Sequence, residues 1–226
     1  MGRIVDEITT LMDSLKPGEI VLLLYDESLI PEFAFLFLVK YARNRGMTIL
    51  VDDILDSLYV VVKHLEYIGV DTSFVNDIFV LKVGGSKRVG KIYEHIKLEN
   101  VYSEKYTILS RKFYEEHGRS GNILNIVLGF ENLFYLTPHP RAVALSMAEL
   151  ASFLGEKSRI AVYMVNKKLM EYVPSNPLPF IERIASTVIY MEAYPRKATL
   201  RIGKCSSIDL VGKGFIIEID DILKIR

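Results

Sequence analysis

The sequence predicts an α/β protein in three layers: a mostly parallel central sheet, helices on both of its faces, and an antiparallel extension at its C-terminal end. Three observations carry this. Ile20 to Tyr25 (IVLLLY) is apolar or aromatic at every position, as a strand covered on both faces must be. Strand and helix patterns then alternate at short spacing, and right-handed crossovers turn such alternation into a parallel sheet. From residue 187 onward the pattern changes to short alternating or apolar runs with turns between them, which suits antiparallel strands.

The elements follow in order. Ile4, Val5, Ile8, Leu11, Met12 and Leu15 recur at helical spacing, and Pro17-Gly18 ends that helix. After the strand 20–25, Pro31 and Glu32 suit the first turn of a helix that begins at about Ser28 or Leu29, and Arg43, Arg45 and Gly46 suit its end. Met47 to Val51 is the next strand, with Asp52 and Asp53 placed to cap a helix running to about Tyr67. Ile78 to Val83 is the third strand. Gly84-Gly85 then favours a tight turn, so the stretch from Arg88 to Leu98 is expected to return as the second arm of a hairpin. A helix from about Ser103 to Glu116, a strand from Ile123 to Leu128, a helix opened by Pro138 and Pro140 and closed at Gly155, and a strand from Arg159 to Val165 complete the alternation. Asn166 is positioned to cap a short helical turn, and Ile181 to Ile184 forms another. Thr187 to Glu192, Thr199 to Gly203 and Phe215 to Ile219 are the antiparallel strands.

Composition bounds the function classes. The 226 residues are 50% hydrophobic, which fits one α/β domain spanning 1–226 rather than two small ones. Formal net charge is zero, so no global field draws the protein to nucleic acid or an anionic membrane. A single cysteine, Cys205, excludes an internal disulfide framework and a thiolate metal cluster, and the four histidines have no ligand spacing. No apolar run approaches the ~18 residues of a membrane span, and no secretory h-region is visible, so a cytoplasmic protein is expected. The absence of Gln and the scarcity of Cys match a thermophile's avoidance of labile side chains.

The order of these parts resembles the RecA-like core in its KaiC-like branch, and more narrowly a small uncharacterised archaeal family of Pyrococcus and Thermococcus type whose nucleotide-binding motifs are degenerate. The residues that carry the resemblance are the turn Pro17-Gly18-Glu19 entering the first strand, the acidic pair Asp52 and Asp53 after the second, and ASTVIYMEAYPRKATLRIGKCSS over residues 185–207. It covers nearly the whole chain and speaks to fold more than to function.

A phosphate-binding loop needs glycines whose backbone amides wrap the phosphates, a Lys, and a Ser or Thr for the metal. Strand one delivers Tyr25-Asp26-Glu27-Ser28 instead, two carboxylates with neither Gly nor Lys. Active relatives, the resemblance implies, hold magnesium through an Asp ending the strand that matches Ile123 to Leu128; here that end reads Leu128-Gly129-Phe130-Glu131-Asn132, with Glu131 further along. Ordinary ATP hydrolysis is therefore not expected, and no catalytic, cofactor or metal residue is assigned. A second string, Gly85-Ser86-Lys87-Arg88-Val89-Gly90-Lys91-Ile92, satisfies G-x-x-x-x-G-K but follows the third strand and lacks the hydroxyl. It reads first as a glycine turn with a solvated basic tip.

Three functions remain open. The leading one is a non-catalytic binding or protein-interaction module. Phe33, Phe35, Leu36, Phe37, Leu38 and Tyr41 make the second helix apolar nearly all round, so either the C-terminal strands or a second subunit must cover it, and a dimer is expected. The second is an enzyme or divalent-metal site built from Asp26, Glu27, Asp52 and Asp53 at the carboxyl ends of strands one and two. The third is a nucleic-acid contact through Lys82, Lys87, Arg88 and Lys91, beside Arg111 and Lys112. Cys205 reads as a small buried filler, and Ser120 between glycines does not complete a nucleophile elbow.

Overall fold

The runs of branched and aromatic residues pair into one sheet. The computed structural model describes residues 3–26, 30–98, 102–118, 122–136, 139–194 and 197–223. Among them the strands are β1 (Ile20–Tyr25), β2 (Thr48–Ile54), β3 (Phe79–Val83), β4 (Lys91–Ile96), β5 (Ile123–Leu128), β6 (Arg159–Asn166), β7 (Thr187–Tyr194), β8 (Lys197–Lys204) and β9 (Gly214–Glu218). Their order is β4-β3-β2-β5-β6-β1-β7-β8-β9. Strands β1 to β7 run parallel, and β8 and β9 extend the edge antiparallel.

The helices are α1 (Arg3–Ser14), α2 (Ile30–Asn44), α3 (Ser57–Tyr67), α4 (Tyr102–His117), α5 (Phe130–Leu136), α6 (Pro140–Ser152), α7 (Lys167–Glu171), α8 (Leu178–Ile184) and α9 (Ile219–Leu223). Alternation along the strands sorts them into two layers. Val21, Leu23, Val51 and Ile126 face the core under α1, α2, α3 and α9. Ile20, Leu22, Leu50 and Val127 face the core under α4, α5, α6 and α8. Central strands therefore read as continuous apolar runs because each residue is buried on one face or the other. Among the described residues, no helix is long and apolar enough to cross a membrane.

Most expected elements are present, and three differ. The second strand continues through Asp52 and Asp53 to Ile54 instead of stopping at Val51, because both carboxylates find hydrogen-bond partners inside the fold. β4 is not a hairpin arm: it lies parallel to β3, with Val80 opposite Ile92 and Val83 opposite Ile96. Parallel neighbours usually need a crossover of about a dozen residues or more, yet residues 84–90 make this return alone. Gly84, Gly85 and Gly90 permit it by taking φ of +64°, +68° and +73°. A Cβ on Gly90 would lie 2.8 Å from Val80 and 2.9 Å from the Ile78 carbonyl, so the chain passes directly over the start of β3. Finally, α5 begins straight after β5, where no helix was expected. The expected start of α2 at Ser28 or Leu29 lies outside the described residues, as do Glu27, Ser120 and Pro138.

The aromatic surface of α2 is covered within the chain. Phe33, Phe35, Leu36, Phe37, Leu38 and Val39 are all buried, Phe35 packs 6.4 Å from Phe74, and Lys40 Nζ donates to the Leu223 carbonyl of α9 at 3.4 Å. Of the two coverings the sequence allowed, the C-terminal segment is the one found. Where α1, α2 and α9 meet the sheet, a wholly apolar cavity of about 60 Å³ remains, lined among others by Phe33, Phe37, Leu38, Ala198, Leu200 and Ile217.

Candidate functional site

In open α/β sheets, ligands bind outside the carboxyl ends of the central strands. Here those ends belong to β1, β6 and β5, which lie side by side, with Tyr25 opposite Asn166 in the register. Gly129, at φ +77°, turns the chain out of β5; a Cβ there would lie 2.6 Å from the Ile54 carbonyl, so only glycine lets the β2–α3 corner approach. This turn places Glu131 in the first turn of α5, from where it reaches back over the end of β6. The Tyr25 hydroxyl and the backbone N–H groups of Asn166 and of Glu131 itself lie near its carboxyl group and favour its ionised form.

The crevice is therefore spanned by the protein's own side chains. Glu131 is 4% exposed, and burial pushes its carboxyl up to about 7 against the opposing pull of those nearby donors. Burial also raises the Tyr25 phenol, followed by the nearby charges of Glu131 and Glu32. Glu32, in the first turn of α2, is buried, and its Oε1 lies 2.6 Å from Nδ1 of the half-exposed His64 on α3. Glu32 Oε2 and Glu131 Oε2 are buried without a hydrogen-bond partner. None of the groups that perturb Tyr25 or Glu131 is a lysine or arginine. Such a site can store a proton or face a cation.

The four acids expected to converge do not do so. Asp26 is half-buried at the end of β1, and Glu27 lies outside the described residues. Asp52 points into the layer beneath α4 and α6, where its Oδ2 accepts from Tyr106 at 2.6 Å and from Asn125 Nδ2 at 3.0 Å. Asn125 Oδ1 in turn accepts from Arg159 Nη1 and from Tyr114 at 3.1 Å. The buried Arg159 guanidinium lies 4.8 Å from the centre of the Phe153 ring and 5.3 Å from that of Tyr114. Burial moves the Asp52 carboxyl up to about 6 despite these partners. Asp53 points to the other face, where it meets Lys82 at 2.8 Å and accepts the Leu58 N–H at 2.9 Å, so it caps α3 from inside β2. Among the described residues no group of three or more His, Cys, Asp or Glu is arranged to hold a metal ion.

The basic stretch is also dispersed. Lys82 is 1% exposed and paired with Asp53 and Asp56 rather than standing at a tip. Lys87 lies over the Tyr59 ring and Lys91 lies 3.6 Å from Asp77; Arg111 lies over Phe153, and Lys112 is 3.9 Å from Glu116. His95 meets the Gly84 carbonyl, His117 stacks on Phe113, His139 caps α6, and Cys205 is buried. The sequence singled out neither the Tyr25–Glu131 and Glu32–His64 pairs nor the buried role of Arg159. Glu131 alone left a trace, as an acid one turn beyond an apolar strand.

Comparison with known proteins agrees with this frame. A Pyrococcus horikoshii OT3 protein solved as PH0250 superposes with a TM-score of 0.75 at 24% identity, covering 95% of this chain and 98% of that one. The KaiC-like protein PH0186 from the same organism superposes with a TM-score of 0.61 at 14% identity, covering 89% and 86%. At these identities the likeness establishes a RecA/KaiC-like α/β fold, as the sequence resemblance implied. No curated protein sequence matches the chain. The profile of one family matches residues 10–216, and the chain accordingly belongs to the family described as Pyrococcus protein of unknown function, DUF257.

Proposed function

We propose that this chain is a RecA-like domain that works by binding and does not turn over nucleotide. The observation that supports it is the placement of two buried acids, Glu131 and Glu32, against Tyr25 at the carboxyl end of β1. Phosphate groups need amides and cations at that place, and carboxylates repel them. Calorimetry with magnesium and ATP, together with a phosphate-release assay, tests the reading. No saturable heat and no released phosphate are expected; tight binding or steady turnover overturns it.

The proposed partner is protein, first of all a second copy of the chain, in the cytoplasm. With α2 covered internally, the surface offered for it is on α5, the end of α7 and α8, where Tyr135, Tyr172 and Phe180 are exposed. Aromatic side chains of this kind dominate protein contacts. Sedimentation over a concentration range should find a dimer that Tyr172→Glu dissociates, whereas a monomer at every concentration removes self-association.

A further inference from the structure

The turn between β3 and β4 carries the string that looked like a phosphate loop, and its backbone amides are already in use. The Asp56 carboxylate sits in the turn: Oδ1 accepts from Lys87 N at 2.8 Å and from Lys82 Nζ at 2.5 Å, and Oδ2 accepts from Ser86 N at 2.9 Å. Two successive backbone N–H groups converging on one anion form a nest, the arrangement by which glycine-rich turns hold phosphate. Lys82 adds a buried ammonium to it. Gly85, at φ +68°, suits the turn, since a Cβ there would be strained and would lie 2.4 Å from Asp56 Oδ1 while Asp56 occupies it. The donors also hold the Asp56 carboxyl below the usual range against the opposing effect of desolvation.

We propose that the turn at residues 84–87 is an anion-binding nest for a phosphate-bearing ligand, and that Asp56 occupies it as a built-in competitor. A carboxylate presents two oxygens where a phosphate presents three, so the incoming group meets the same donors once Asp56 has swung out. Two features suit exchange. Asp56 belongs to the half-buried corner after β2 and retains 22% side-chain exposure, and Lys82 stays paired with Asp53 when Asp56 leaves. Lys87 and Arg88 are exposed on the same turn and supply further positive charge to an arriving anion. This site lies beyond the Tyr25–Glu131 crevice and does not depend on the reading of that crevice.

The test uses inorganic phosphate and pyrophosphate as probes on the full chain, with amide resonances and calorimetry as readouts. Asp56 has φ +64°, which glycine adopts freely, so Asp56→Gly empties the nest without straining the backbone. Asp56→Asn keeps the shape but removes the charge. Asp56→Gly should bind pyrophosphate at least tenfold more tightly than the natural protein, with the largest shifts at the Ser86 and Lys87 amides, and Asp56→Asn should fall between them. A folded Asp56→Gly protein that binds neither probe, or whose shifts lie elsewhere, overturns the proposal. Equal affinity of the natural protein and Asp56→Gly overturns the role of Asp56 as competitor.

Discussion

Asp52 and Asp53 are neighbours in the chain yet serve opposite faces of the sheet. Asp52 accepts from Tyr106 and Asn125 under α4 and α6, and Asp53 meets Lys82 and the first turn of α3 on the other side. Strand geometry imposes this, because successive side chains leave the backbone in opposite directions. The pair therefore stabilises two separate layers, and the acids that act on Tyr25 are Glu131 and Glu32.

Glu131 makes stability depend on pH. Its folded carboxyl is raised to about 7 from the ordinary 4.5, so the folded state holds a proton that the unfolded chain has released. The contribution is complete below about pH 4.5 and is lost as pH rises through 7. On the order of 3 kcal/mol should disappear across that window. Urea denaturation of Glu131→Gln between pH 4.5 and 8 should give a flatter profile than the natural protein; an unchanged slope assigns the proton to another group.

Arg159 is a buried cation whose nearest ionised partner is reached through Asn125. Replacing it by Met removes the charge that helps hold Asp52 ionised, and breaking such buried arrangements costs about 3 kcal/mol. Asp52 can then take up a proton, since burial has already moved it to about 6. The loss for Arg159→Met should thus be smaller at pH 5 than at pH 8. A loss equal at both values would mean that Arg159 acts through its packing against Phe153 and Tyr114 alone.

The apolar cavity of about 60 Å³ offers room for added carbon. Ala198 lines it from β8, where a branched side chain also suits the strand. Ala198→Val should raise stability by about 1 kcal/mol, read as a higher urea midpoint with an unchanged slope. A lower midpoint would show that the space closes around alanine and cannot accept two further methyl groups.

Much of the architecture was legible in the chain. IVLLLY, the helical spacing from Ile8 to Leu15 and the capping Asn166 each state their local structure directly, because side-chain period and cap chemistry act over a few residues. The missing glycine loop after Tyr25 was equally plain. The candidate site was much less so. Glu131 meets Tyr25 across the end of β6, and Asp56 reaches a turn that begins beyond the following strand; neither spacing leaves a periodic trace. Ending the second strand at Val51 concealed the fact that Asp52 and Asp53 must diverge, which alternation would otherwise have foretold.

Sequence settled the kinds of element, their order, the parallel frame with its antiparallel end, and the absence of glycine and lysine from residues 25–28, since all of these follow from local pattern and residue identity. The direction of β4, the covering of α2 by α9, and the partners of each buried acid emerged only on folding. A Gly-Gly pair permits a hairpin as readily as a parallel return, and the choice fell to packing of the 84–90 segment over β3. A carboxylate, likewise, has the same appearance in the sequence whether it will cap a helix, neutralise a lysine or close a crevice. Its role depends on the dielectric surroundings and donors that distant segments bring to it.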